Sequence, residues 1–128
     1  MLFKPELAQK IVAGQKTQTR RLVHPDDFSD ETLVRRWKPN RSNPTTTMIR
    51  WGVGRTYAIC PGRGKPQIGR ILILNIRSEY INSITEADAR REGFASRQEF
   101  LDTFKSINPK SKPDDRVWVI DFKHVDNR

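Results

Sequence analysis

The sequence predicts one small domain of the α+β or barrel class, and three observations carry that reading. Its 128 residues suffice for a single modest core and leave no room for two. The predicted elements run helix, strands, two helices, strand, which groups like with like instead of alternating them. Composition is lean but globular. Hydrophobic residues make up 35%, mean hydropathy is −0.73, and three Trp, six Phe and two Tyr can seed packing.

Phe3 to Gly14 reads as a short helix. Pro5 suits the first turn, where a missing N–H costs nothing. Leu7, Ala8 and Ile11 form an apolar stripe, and Gly14 suits the C′ position that needs positive φ. Lys16 to Arg21 follows, with threonines at 17 and 19 that favour an extended chain. Residues 24–50 are the least regular. His24-Pro25-Asp26-Asp27 is a turn. Ser29 to Trp37 is expected to be a short helix, capped by Ser29 or Asp30, with Leu33, Val34 and Trp37 on one side. Lys38 to Thr47, rich in Pro, Asn and Thr, is a loop. A long basic stretch of this kind inside a compact domain points to function or mobility.

Strands are expected at Thr56–Cys60 and Ile68–Arg77, joined by a hairpin loop over Pro61–Pro66. Two helices come next, each with a capping-box signal. Thr85 stands three before Asp88, a looser match, and Ser96 stands three before Glu99. The second helix turns Phe100, Leu101, Phe104 and Ile107 toward the core. Arg116–Phe122 is a final strand, with Trp118 in the core.

The formal net charge is +9, and it is lopsided. Residues 1–70 carry 14 Lys/Arg against 5 Asp/Glu, whereas residues 71–128 carry 10 of each. A basic half beside a neutral half suggests a polyanionic partner, nucleic acid first. The single cysteine, Cys60, rules out an internal disulfide. Met1–Glu6 becomes charged at once, without the apolar core of a signal peptide, and no apolar run approaches the roughly 20 residues of a membrane span. A reducing cytoplasm, no membrane and a monomer are the expectations.

Several chemistries are poorly supplied. One Cys with His24 and His124 lacks zinc spacing, so no metal and no cofactor is expected. Gly62-Arg63-Gly64-Lys65 is followed by Pro66 where a Walker motif needs Ser or Thr. The zinc deaminase signature is absent. Lys, Thr, Arg and Glu chemistry remains, and Gly14-Gln15-Lys16-Thr17-Gln18-Thr19-Arg20-Arg21 concentrates it. On an extended chain Lys16, Gln18 and Arg20 point one way and Thr17, Thr19 and Arg21 the other. A turn at Gly14-Gln15 can bring Lys16 round to the second face. Read blandly, the segment is a basic exposed strand.

Phe3, Ile11, Gly14, Lys16, Thr17, Thr19 and Arg21 resemble the opening signature of ASCH domains. Further agreement runs through Gly54, Tyr57-Ala58-Ile59, Gly69-Arg70-Ile71 and the Ile84 to Phe94 stretch that ends in Glu92-Gly93-Phe94. The resemblance covers nearly the whole chain as a single domain, 1–128, with a basic insertion at about 24–50. It implies a PUA-like fold, a small β-barrel with flanking helices around a cleft. It also implies a function. One small bacterial ASCH type is a metal-independent amidohydrolase of N4-acetylcytidine, and its catalytic Lys, Thr and Glu fall on Lys16, Thr19 and Glu92. Other ASCH relatives bind RNA, and some are proposed ribonucleases.

Amide hydrolysis needs a nucleophile, a proton acceptor and an oxyanion partner. Thr19 supplies the hydroxyl or positions water. Lys16 takes its proton as the neutral amine, or else contacts phosphate. Burial with Arg20 and Arg21 lowers its pKa and Glu92 raises it. Glu92 shuttles the proton, or caps a helix. Arg21, Arg20, Arg63 and Tyr57 are candidates for substrate binding. Arg35, Arg36, Lys38 and Arg41, with Trp37 and Trp51, are candidates for nucleic-acid binding, each Trp being equally a core residue. The expected partner is a nucleoside or RNA, and the alternatives to the amidohydrolase are an RNA-binding module without catalysis or a ribonuclease.

Overall fold

The computed structural model describes residues 1–30 and 32–125. Helix α1 spans Pro5–Val12, and Gly14, at φ 77°, turns the chain back toward strand β1 (Gln18–Leu22). A small antiparallel sheet follows: β2 (Asp27–Asp30), β3 (Leu33–Trp37) and β4 (Thr47–Gly52), in that order. Then come β5 (Thr56–Ala58) and the long β6 (Arg70–Tyr80). Helices α2 (Glu86–Arg91) and α3 (Arg97–Ile107) precede β7 (Arg116–Val125). The main sheet is antiparallel in the order β1-β7-β6-β5.

Two elements depart from expectation. The segment Ser29–Trp37 is a β-hairpin and not a helix; Glu31 within it lies outside the described residues. Leu33, Val34 and Trp37 sit at spacings that suit either structure, and long-range contacts decide. Val34 is buried with Trp51 in the core, and Asp27 faces Arg36 directly across the hairpin, an opposite-charge cross-strand pair. The strands also form two open sheets and are not closed into a barrel. The capping signals hold: the Thr85 and Ser96 hydroxyls accept from the N–H groups of Asp88 and Glu99. Ile107, expected to face the core, is half exposed.

Alternation along β7 divides the interior. Trp118, Ile120 and Phe122 pack with Phe3, Ile11, Val34, Trp51 and Ile71, between the main sheet, α1 and the small sheet. Val117 and Val119 pack with Ile84, Ala89, Phe100 and Phe104 under α2 and α3. No helix is long and apolar enough to cross a membrane among the described residues.

Asp27 pins the small sheet to the large one. Its side chain is fully buried, pairs with Arg36 at 2.6 Å and Arg50 at 3.5 Å, and accepts from the Trp118 indole at 3.1 Å. Burial alone raises its carboxyl, but the Arg36, His24 and Trp118 bonds outweigh that and hold it below the usual carboxylate range. Its contribution is therefore complete above pH ~4, and it is lost as pH falls through the depressed folded value. Asp27→Asn is expected to cost about 3 kcal/mol, because it strands two arginines and an indole N–H. A urea melt at pH 7 measures this, and the difference from wild type should shrink in acid.

Candidate active site

Four segments meet at a cavity of about 320 Å³. β1 supplies Thr19, Arg20 and Arg21, and the turn before it supplies Lys16. α1 supplies Leu7, with Phe3 and Lys4 just ahead of it, and α3 supplies Phe100 and Phe104. Glu92 and Phe94 come from the turn that ends α2. Gly93 makes that turn possible. It takes φ 95°, and its carbonyl accepts from the Lys10 ammonium at 2.6 Å. An added Cβ would lie 3.5 Å from the Lys16 Cβ, so the two backbones approach closely where the site is built.

The floor is polar and buried. Lys16 and Glu92 are each 2% exposed, and their side chains meet at 2.7 Å. The Lys16 ammonium also donates to the carbonyls of Gln18 at 2.8 Å and Glu92 at 2.9 Å, so all three of its protons are placed. Burial pushes the Lys16 ammonium below the ordinary lysine range; Glu92 opposes that shift, and Arg21 and Arg20 add to it. Arg20 is anchored from behind. It donates to Glu79 at 2.6 Å and Asp88 at 3.3 Å, bonds the Gln18 side-chain carbonyl, and lies 3.7 Å from Glu92 Oε1. Asp88 is itself gripped by Arg91 and Arg77.

Two buried atoms on this floor have no hydrogen-bond partner: the Arg20 Nε donor and the Glu92 Oε1 acceptor. The Thr19 hydroxyl makes no hydrogen bond to any described residue. Thr19 is 5% exposed and lines the cavity. Arg20 and Glu92 thus each keep one buried polar atom without a hydrogen bond, and both line the same cavity as Thr19. The walls above them are apolar and aromatic, as small-ligand sites require.

No protein-family model matches the sequence, and no curated protein matches it. Solved structures do. An ASCH domain from Lactobacillus crispatus superimposes with a TM-score of 0.68 at 20% identity, over 95% of this chain and 72% of that one. The chain has the ASCH fold. A DUF984-family protein from Enterococcus faecalis gives a TM-score of 0.63 at 19% identity, over 96% of this chain and 74% of that one. A mutant ASCH protein from Zymomonas mobilis gives 0.59 at 18% identity, over 99% and 73%.

On this ASCH scaffold Lys16, Thr19, Arg20, Arg21 and Glu92 share the cavity. Tyr57 and Arg63 do not line it. The Tyr57 hydroxyl instead accepts from the Gly52 N–H, and Arg63 is exposed in the hairpin loop. Trp51 is 5% exposed, which removes it from the nucleic-acid candidates: its indole fills the core, with Arg50 stacked on it. Trp37 remains exposed, stacked on Phe28 at 5.1 Å. Arg35 and Arg36 are ion-paired with Asp30 and Asp27, whereas Lys38 and Arg41 are exposed in the loop after β3. Sequence reasoning missed the walls. Phe3 and Phe94 belong to the motif stretches, but nothing in the sequence marked them as cavity walls. No group of three or more metal-ligating side chains occurs among the described residues.

Proposed function

We propose that this protein is a metal-independent amidohydrolase that removes the acyl group from N4-acylated cytidine or a closely related modified nucleoside. One observation carries the reading: Arg20 and Glu92, which hold a donor and an acceptor without a hydrogen-bond partner, line the same cavity as Thr19. A secondary amide is their complement, with a carbonyl oxygen that accepts and an N–H that donates.

In this mechanism Thr19 Oγ bonds to the acyl carbon and its proton passes to Glu92 Oε1. The Arg20 Nε–H holds the oxyanion. Collapse breaks the C–N bond, and Glu92 returns the proton to the departing N4 amine. Water then cleaves the threonyl ester by the same proton route and releases the carboxylic acid. Lys16, with its three protons already placed, orients the carboxylate through Oε2 and leaves the base role to Glu92. Phe3, Phe94 and Phe100 offer the pyrimidine ring aromatic surface.

The test is chromatographic. Purified protein should release cytidine from N4-acetylcytidine without added metal, and chelator should leave the rate unchanged. No release from any acylated cytidine removes this reading.

A second reading has its own observation, the exposed Trp37–Phe28 stack beside Lys38 and Arg41. Base stacking on such a pair suits single-stranded RNA. RNA affinity is then expected to fall steeply with salt and to drop further when Arg35, Arg36, Lys38 and Arg41 are all replaced. Salt-independent binding in a filter assay contradicts it.

A further inference from the structure

Four cations line the cavity, and they divide by depth. The two in the floor, Lys16 and Arg20, are buried and paired with Glu92, Glu79 and Asp88. The other two, Lys4 and Arg21, make no ion pair with any described carboxylate. Lys4 is exposed, and Arg21 is half-buried. Arg35, Arg36, Arg50, Arg77 and Arg91 each meet an aspartate, whereas Arg70, Arg97 and Arg116, like Arg21, are held by other groups. Lys4 and Arg21 are therefore the cavity cations without a direct carboxylate partner, although the Glu92 charge still acts on Arg21.

Arg21 is also held in a set geometry. Its guanidinium lies over the Phe3 ring at 4.9 Å and one nitrogen donates to the Leu2 carbonyl at 2.7 Å. A guanidinium has five N–H donors, so most of the fork stays open. A planar fork fixed by stacking suits a phosphate, and a flexible lysine beside it suits the same anion as a point charge. A cavity of about 320 Å³ is at the small end for ligand sites, so a base and sugar fill it and any ester on the sugar reaches the rim.

We infer that Lys4 and Arg21 form a phosphate subsite at the mouth of this cavity, so that its substrate is a phosphorylated cytidine rather than the free nucleoside. The identity of the acyl-bearing base rests on the amidohydrolase reading, whereas the phosphate subsite stands on the rim alone.

Calorimetric titration with unacylated ligands separates the two. Cytidine, cytidine 5′-monophosphate, cytidine 3′-monophosphate and a cytidine-containing trinucleotide are the probes. At low ionic strength at least one phosphorylated probe should bind about tenfold more tightly than cytidine, and the gap should close as salt rises. The arm that gains most tells a free nucleotide from a chain phosphate. Lys4→Ala, at an exposed position, should narrow the gap, and the Lys4→Ala, Arg21→Met double variant should erase it. Equal affinities for all four probes, or a gap that survives in a folded double variant, overturns the subsite. Hydrolysis is scored separately. The acetylated monophosphate should show the higher kcat/KM; if no acetylated probe turns over, the amidohydrolase reading fails while the binding arms still decide the subsite.

Discussion

Thr19→Ala is expected to lower turnover of N4-acetylcytidine by about a thousandfold or more, with little change in thermal stability. The hydroxyl lies on the cavity wall and bonds no described residue, so its removal leaves no buried partner stranded. Backbone pairing of β1 with β7 at Thr19 and Ile120 does not involve the side chain. Neighbours cannot replace it: Thr17 lies outside the cavity, and Gln18 is spent on Asp121 and Arg20. Thr19→Ser should restore a substantial part of the rate. Single-turnover assays with both variants check this. Near-normal hydrolysis by Thr19→Ala removes Thr19 from the chemistry.

Lys16→Arg should be nearly as damaging, by about a hundredfold or more, although it keeps the charge. The ammonium sits among three oxygens within 2.9 Å in a slot that is 2% exposed. A planar guanidinium is larger and cannot meet three such acceptors at once, so it displaces Glu92 and its open Oε1. The pH profile separates that effect from a general disturbance. Wild-type kcat/KM should fall as pH rises through the lowered Lys16 pKa, where the ammonium that orients Glu92 is lost, and the variant, if folded, should lose that limb. A variant with near-normal rate and profile makes Lys16 a simple electrostatic contact.

The sequence carried the local signals well. Pro5 and Gly14 bounded α1, and Thr85 and Ser96 capped α2 and α3, because each acts through its nearest neighbours. The convergence of Lys16 with Glu92, 76 residues apart, came from a family resemblance, since spacing cannot reveal contact at that separation. The small sheet was illegible for a related reason. Leu33, Val34 and Trp37 suit a helix or a strand, and only burial against Trp51 selects the strand. The grip on Arg20 is also non-local, coming from Glu79 and Asp88 on other elements. Tyr57 and Arg63 lie outside this cavity because they sit on β5 and the loop after it, and β5 pairs with β6, away from β1.

The order β1-β7-β6-β5 has a bearing on when this protein becomes competent during its own synthesis. Among the described strands β1, which bears Thr19, Arg20 and Arg21, pairs only with β7, which follows all the others in the chain. Until β7 emerges, β1 has no ladder to join, and the floor that joins Lys16 to Glu92 has no support beneath it. Closing so long a loop is slow compared with local helix formation. The nascent chain can therefore assemble its hairpins and helices early, yet it holds no site until the final strand slides between β1 and β6. Competence arrives in one step with the translation of β7, so a chain that stops short of β7 holds no complete cavity.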